Sequence, residues 1–534
     1  MNKRIVLAVV INQDSAETGF LGVNEYQGIG YIKTFLEKYN YSVQILIVFS
    51  NQSSEILSLF PEEPLLVGFS MYSDNVDSTL LIAKELKQHY TKTHITLGGP
   101  QVNGFERNIL EENNWIDSIT MLEGEETTLE LVNSLTAGIE LSHCKGLVYR
   151  DKQNEIIYNE VRQPVQNLDE LPFPSRDIHK KYKQQYLYIT GSRGCLGGCS
   201  FCAETSVKKK HNPPYVRLRS AGSIVDEMEL LINQFQINTF RLTDATFEDP
   251  GEDGVRRAYE IFEEIHRRQI KVSLHLFTRA ELVGTLSDEY YLKAKEAGVE
   301  CFYIGVESGN DKDLKLYCKR SRVANNSVAI EKIRKSGIHV GIGFICFNPF
   351  STYDSLKSNA DFMYKSGLGH VFYLLQTRLE VLPQSQLCKV LKDNNLVDKD
   401  VDYRSHFYDY RFADPKISEL FLIIKKAYTA LPIYYMDTIL GMGKVWTKRM
   451  LSEERAKKIL NMYANLDLLC EKYNEKNYRF FCTCLDMSAN GASNEMLEKQ
   501  IDIFNLNDIY PEYLSLYNQI NIRVTKERLK YFMS

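Results

Sequence analysis

Cys195, Cys199 and Cys202 fall within eight residues, in the stretch Gly191-Ser192-Arg193-Gly194-Cys195-Leu196-Gly197-Gly198-Cys199-Ser200-Phe201-Cys202. No other feature restricts the fold as sharply. Thiols spaced C-x3-C-x2-C converge only if the backbone wraps tightly, and the four glycines between 191 and 198 permit the positive φ angles this needs. The stretch directly follows Tyr186–Thr190, which reads as a buried strand. The other eight of the eleven cysteines are mostly scattered singly, so this is not a disulfide scaffold. In a reducing compartment such a group means metal or redox chemistry. Soft thiolates are what iron–sulfur clusters require, and three ligands on a four-iron cluster would leave one iron open to something else. The competing reading is zinc held by Cys199 and Cys202 with Cys195 and His211. Position favours the cluster: a metal loop after the first strand of a β/α barrel occupies the catalytic face.

The rest of the chain supports an α/β fold. Residues 1–150 alternate strands (Ile5–Ile11, Ser42–Phe49, Leu65–Met71, His94–Leu97, Ile116–Leu122, and Gly146–Tyr149 at the edge) with helices near 25–38, 78–90 and 125–135. Buried strands separated by helices imply a doubly wound, Rossmann-like sheet, with ligands at the carboxyl ends of its strands. Residues 151–185 read as a linker, broken by Leu171-Pro172-Phe173-Pro174. From 186 to 395 about six further strand–helix units, the last strand being His370–Leu375, suit a partial or full β/α barrel. Residues 396–534 form a helical C-terminal domain rich in Tyr and Phe. Within it, Tyr478–Leu485 reads as a strand that sends Cys482 and Cys484 to one face, as two buried thiols.

Composition excludes several classes. Hydrophobic residues at 44% and charged residues at 25% are ordinary for a globular protein, and a net charge of −5 gives no reason to expect nucleic acid. The first apolar run, Ile5–Ile11, is short, β-branched and lacks a cleavage pattern, so it reads as a strand rather than a signal peptide. No apolar stretch approaches the roughly 18 residues of a membrane span. The expected location is the cytoplasm.

With an aromatic before its last cysteine and a strand before its first, the loop resembles that of the radical SAM superfamily. The resemblance implies a [4Fe-4S] cluster on Cys195, Cys199 and Cys202, with S-adenosylmethionine chelating the fourth iron. Reductive cleavage then gives a 5′-deoxyadenosyl radical, with an electron donor such as flavodoxin or ferredoxin. Phe201 matches the aromatic beside the adenine. Later strand ends agree in order: Arg241-Leu242-Thr243-Asp244-Ala245-Thr246-Phe247, Phe277-Thr278-Arg279, Gly305-Val306-Glu307-Ser308-Gly309 and Gly341-Ile342-Gly343. Asp244, Arg279 and Glu307 are the expected contacts to S-adenosylmethionine. Arg279 suits a carboxylate through its planar fork, and Glu307 suits an ammonium or ribose hydroxyls.

Residues 1–150 resemble the cobalamin-binding domain that precedes the radical domain in one large subclass. Val67-Gly68-Phe69-Ser70-Met71, Leu97-Gly98-Gly99-Pro100 and Glu123-Gly124-Glu125 carry the likeness. Gly98 and Gly99 let the backbone approach a flat ligand closely, and Ser70 offers a hydroxyl at the neighbouring strand end. One departure matters: many such domains carry Asp-x-His-x-x-Gly after the first strand, yet the first histidine here is His89. No G-x-G-x-x-G opens a helix after the first strand, which argues against a dinucleotide. The resemblance implies a C-methyltransferase that acts on an unactivated carbon through methylcobalamin. Cyclisation or rearrangement with the same cofactors is the rival, and a non-catalytic Fe–S redox protein the alternative of another class. The substrate, a small molecule or a peptide, is not legible. Lys208-Lys209-Lys210 could meet an anionic one, although loop lysines are usually only solvated.

Overall fold

The computed structural model describes residues 4–12, 25–50, 62–210, 212–383, 385–397, 401–405, 407–427, 433–505 and 509–533. It is built around two sheets and a helical tail.

The first sheet contains β1 (Ile5–Ile11), β2 (Val43–Phe49), β3 (Leu66–Ser70), β4 (His94–Gly98), β5 (Ser118–Thr120), β6 (Leu147–Arg150) and β7 (Ile156–Tyr158), in the order β2-β1-β3-β4-β5-β6-β7. β1 to β5 are parallel; β6 and β7 add an antiparallel hairpin. Every residue of β1 is buried because both faces are covered. Ile5, Leu7 and Val9 pack with α1 (Gln27–Glu37), while Val6, Ala8 and Val10 pack with α2 (Val76–His89) and α3 (Glu106–Glu112). α4 (Glu125–Ala137) shares the α1 side and stops at Gly138, in the left-handed conformation that glycine adopts freely. The expected double winding is present. The edge strand, however, is β7 and not the stretch around Tyr149, so the sheet reaches past residue 150 into the expected linker. The linker also contains a short helix, α5 (Asp177–Tyr182).

The second sheet is parallel and open, in the order β14-β13-β12-β11-β8. Its strands are β8 (Leu187–Ile189), β11 (Thr239–Leu242), β12 (Ser273–Arg279), β13 (Val299–Glu307) and β14 (His339–Phe344). A small ribbon, β9 (Ser192–Arg193) with β10 (Arg217–Leu218), stands beside β8. Between these strands lie α6 (Ala203–Lys208), α7 (Ala221–Phe235), α8 (Glu252–Arg267), α9 (Ala280–Val283), α10 (Asp288–Ala297), α11 (Asp311–Leu316) and α12 (Val323–Ser336). After β14 comes α13 (Tyr353–Lys365). This is a partial barrel of five strands. The expected sixth strand, His370–Leu375, is instead a turn leading into α14 (Phe372–Leu375). The tail explains this. Asn474 accepts from the Gly369 N–H at 2.7 Å, and Asn477 donates to the Gly369 carbonyl at 2.7 Å. These side chains tie down both backbone groups of the residue just before the expected strand.

Beyond α15 (Gln386–Asp393), the tail consists of α16 (Pro415–Ala427), α17 (Ile433–Met450), α18 (Glu453–Ala489), α19 (Asn494–Phe504) and α20 (Ile509–Met533). Tail and barrel share one apolar core. α17 crosses the amino end of the barrel, where Arg449 donates to the Val272 carbonyl (3.1 Å) and pairs with the buried Glu300 (3.4 Å). The strand expected at Tyr478–Leu485 is part of the 37-residue α18. Its buried positions Ile459, Tyr463, Leu466, Tyr473, Phe480 and Cys484 keep helical spacing, and that long period overrides the local aromatic run. Cys484 is buried in the core, and Cys482 lies at its margin.

Candidate active site

The cysteine loop leaves the carboxyl end of β8 and is held at both ends by buried carboxylates. Asp244 accepts from the Gly191 N–H (3.0 Å) and pairs with Arg257 (2.8 Å), which also donates to the Gly191 carbonyl (2.7 Å). Asp249 accepts from the Leu196 N–H (2.9 Å) and pairs with Arg279 (2.6 Å). Ser200 donates through its hydroxyl to the Leu316 carbonyl (2.7 Å) and through its N–H to the Tyr317 carbonyl (3.0 Å). At Gly194, φ is +93° and an added Cβ would lie 1.9 Å from the Tyr215 carbonyl oxygen, so only glycine fits. The loop geometry is thus dictated from outside the loop.

Cys195, Cys199 and Cys202 are all half-buried. A Cβ at residue 197 would come 3.1 Å from the Cys195 sulfur and 3.9 Å from the Cys199 sulfur, so glycine keeps the space between these two thiols open. Burial pushes the Cys199 thiol up to about 11, against the pull of Lys319. A bound cationic group is what such thiols need to become thiolates. Three soft donors with no arginine or carboxylate paired to them fit an iron–sulfur cluster. Among the described residues no three His, Cys, Asp or Glu side chains are gathered closely enough for a single metal ion. His211, the fourth zinc donor considered above, lies outside the described residues.

Phe201 packs edge-on against Tyr317, with ring centres 5.6 Å apart. Glu307 closes β13 with φ +64° and pairs with the buried Lys319 at 3.3 Å. Gly305 and Gly343 make room for it: a Cβ on the former would lie 2.6 Å from one carboxylate oxygen, and on the latter 3.4 Å from the other. Phe201, Glu307 and Lys319 therefore lie on the cysteine side of the barrel, where they could receive an adenine and an ammonium or hydroxyls. Asp244 and Arg279, expected as S-adenosylmethionine contacts, also have partners within the chain. Their charges are neutralised by Arg257 and Asp249, and they steady the loop through Gly191 and Leu196. Asp249, Arg257 and Lys319 carry no motif signal in the sequence, because their charge partners, 30, 13 and 12 residues away, stand at no helix or strand spacing.

Facing the barrel mouth is a cavity of about 520 Å³. Ser70, Gly98, Gly99, Thr120 and Gly124 line it from the first sheet; Thr190, Arg193, Thr243 and Ala245 line it from the second. At Gly99 φ is +93°, and a Cβ would lie 2.6 Å from the Met71 carbonyl oxygen. The floor is therefore broad, side-chain-poor and edged with hydroxyls, which fits a flat macrocycle with polar arms. One wall is charged. Glu123 takes a bidentate contact from Arg217 (2.6 and 3.1 Å) and pairs with Arg193 (3.2 Å), which also reaches Glu125 (2.5 Å). Burial opposes the Glu123 charge, but the Arg217 hydrogen bond and the two guanidinium charges hold its carboxyl below the usual range. A deeper junction joins the two sheets: Arg176 bridges Glu25 and Glu227, and Arg219 pairs with Glu227 at 2.6 Å, all of them buried.

An open β/α barrel with a cysteine loop on its first strand, facing a Rossmann-like domain across a cavity, defines a class of enzyme. The family model for the radical SAM superfamily matches residues 189–363, and that for the B12 binding domain matches residues 21–132. The chain belongs to the cobalamin-binding radical SAM enzymes; its cofactors are a [4Fe-4S] cluster, S-adenosylmethionine and cobalamin. It is similar to an uncharacterized methyltransferase of Pyrococcus horikoshii, 27% identical over 63% of this chain and 71% of that protein. It is also similar to the anaerobic magnesium-protoporphyrin IX monomethyl ester cyclase of Rubrivivax gelatinosus, 26% identical over 62% of this chain and 60% of that one. Among solved structures, the cobalamin-dependent S-adenosylmethionine radical enzyme OxsB shares the fold, with a TM-score of 0.74 at 18% identity, over 99% of this chain and 84% of that one. Among the described residues, no helix is long and apolar enough to cross a membrane.

Proposed function

We propose that the chain is a C-methyltransferase acting on an unactivated carbon of a small molecule or peptide. One observation carries the reading: a single cavity is lined by strand ends of both sheets, next to the cysteine loop. When bound, the cluster with S-adenosylmethionine supplies a carbon-centred radical and cobalamin supplies the methyl group, each with its own established chemistry. Cys195, Cys199 and Cys202 hold the cluster. Phe201, Glu307 and Lys319 orient S-adenosylmethionine. Ser70, Gly98 and Gly99 support the corrin. The buried Arg176–Glu25–Glu227 junction fixes the spacing of the two halves, and the Arg193–Glu123–Arg217 wall shields the chamber from water. In this reading residues 1–150, 186–395 and 396–534 are the cobalamin, radical and cap domains of a cytosolic enzyme. An electron carrier of the flavodoxin or ferredoxin kind supplies the reductant.

Cyclase relatives favour a second reading, ring formation without methyl transfer. Anaerobic turnover with methyl-labelled S-adenosylmethionine separates the two. Label in the product together with 5′-deoxyadenosine is the expected result; 5′-deoxyadenosine with an unlabelled, altered product would establish the rival. Neither product would return the protein to the class of non-catalytic redox carriers.

A further inference from the structure

The strands of the barrel are in register, so its inward-facing side chains form rungs. Arg241 of β11 is paired with Tyr188 of β8 on one side and with His275 of β12 on the other. Residues two apart share a face, which places Thr190 and Thr243 directly above Tyr188 and Arg241. Both threonines line the 520 Å³ cavity. Arg241 therefore lies one rung beneath the floor of the chamber, and it is half-buried there.

Its surroundings are unusual for an arginine. The guanidinium lies over the Phe277 ring, 4.5 Å from its centre, and near the Tyr188 ring at 5.9 Å. Among the described residues, no carboxylate, carbonyl or hydroxyl pairs with it or bonds to it. Among the described residues Arg193 and Arg217, which line the chamber, and Arg176, Arg219, Arg257 and Arg279, buried elsewhere in the two halves, each have an anionic partner. A second group beside it is also unsatisfied. His275 is about nine-tenths buried, stacks on Phe277 with ring centres 5.2 Å apart, and its Nε2 has no hydrogen-bond partner. Burial, reinforced by the Arg241 charge, holds this imidazole neutral, so it can donate one hydrogen bond without adding a second cation. A planar five-donor fork over an aromatic ring, with a neutral ring donor alongside, has the chemistry that recognises an oxyanion.

We infer that the substrate carries a carboxylate or phosphate group, which Arg241 receives through its fork with His275 as the adjoining donor. This rests on the functional reading above and deepens it. The anion would anchor one end of the substrate below the chamber, leaving the reacting carbon at the level of Thr243 and Ala245, between the cysteine loop and the glycine floor. The loop lysines 208–210 would then not be the anchor.

The test uses the full chain with cluster and corrin reconstituted and S-adenosylmethionine present in saturating amount, so that the carboxylate of the latter is already placed. Inorganic phosphate and acetate are titrated separately by calorimetry, and iron and corrin contents are measured on every sample. Saturable binding of either probe is expected; the probe that binds more tightly tells phosphate from carboxylate. Arg241→Lys, which keeps charge but not the fork, should bind about tenfold more weakly. Arg241→Gln should not bind, and Lys209→Gln should bind like the parent. Absence of binding by the parent, equal binding by Arg241→Gln, or loss in Lys209→Gln would each overturn the assignment. Iron and corrin contents report on the functional reading separately: if they are normal while no anion binds, only the substrate inference fails.

Discussion

The arginines behind the cysteine loop and the arginine beneath the chamber differ in one respect. Arg257 and Arg279 each hold a buried aspartate that in turn holds a backbone N–H of the loop. Arg241, on the strand next to that of Arg279, meets only aromatic faces among the described residues. A buried charge that finds its counter-ion within the chain is part of the frame, and its removal leaves the partner uncompensated. A half-buried charge without one is not part of that frame, and its donors are open to a ligand. This contrast separates positioning from recognition more reliably than residue type does. Asp244 and Arg279, expected from their places at strand ends as ligand contacts, also brace the loop.

The contrast can be broken by substitution. The largest effect belongs to the sulfur donors: Cys195→Ala, Cys199→Ala or Cys202→Ala should reduce bound iron sharply and abolish 5′-deoxyadenosine formation, as read by elemental assay and product analysis. Next come the braces. Asp244→Ala strands the Arg257 guanidinium and should lower unfolding free energy by about 3–5 kcal/mol in denaturant titration, whereas Asp249→Ala leaves Arg279 with Glu281 at 3.5 Å and should cost less. Both should also lose iron faster on gel filtration than the parent. Arg241→Gln strands nothing and should change stability by less than about 1 kcal/mol, or raise it. Equal destabilisation by all three would erase the distinction. Gly99→Ala follows. A left-handed backbone plus a collision with the Met71 backbone should cost about 1–3 kcal/mol and reduce corrin retention, while iron content stays normal.

Local signals in the chain were read well and distant ones poorly. β1 to β6 are largely apolar runs and the loop carries its glycines in plain view, so both are legible from residue pattern, whereas the three-residue β7 lies in the stretch expected to be a linker. Ser70, Gly98 and Gly99 were likewise found at strand ends, where the cavity lies. The sixth strand expected at His370–Leu375 does not form; Gly369, just before it, is bonded on both its backbone groups by Asn474 and Asn477, more than a hundred residues later in sequence. Tyr478–Leu485 was misread for a related reason: eight residues of β-prone composition weigh little against a 37-residue period. Asp249, Arg257 and Lys319 act through contacts that no spacing rule reveals. Arg241 was visible as a residue of a strand-end stretch, but its lack of a partner is a property of the folded molecule alone.

The weakest effect expected concerns a third kind of buried charge, one whose pairing depends on a proton. At the amino end of the barrel, His370 lies 3.0 Å from Asp437 through Nε2, and its Nδ1 lies 3.1 Å from the Gly367 carbonyl. Both ring nitrogens thus face acceptors. Burial opposes the charge, but Cys470 and Asp437 outweigh it and raise His370 well above the ordinary imidazole range. Burial also opposes the Asp437 charge, yet His370 holds that carboxyl below its usual value. His339, 3.7 Å from the other Asp437 oxygen, is driven the opposite way by burial and stays neutral. A histidine raised on folding gives its full stabilisation below the unfolded value of about 6.5, and that contribution disappears as pH rises through the higher folded value. Asp437 acts in the acid limb, its contribution being lost only as pH falls below the usual carboxylate range. The melting temperature should therefore decline modestly from about pH 6.5 into the alkaline range. Asp437→Asn should be less stable at neutral pH and show a flatter decline, because its histidine no longer gains a proton on folding. If parent and variant keep the same slope above neutral pH, the pair is not protonated as the geometry requires, and this part of the frame belongs with the neutral core.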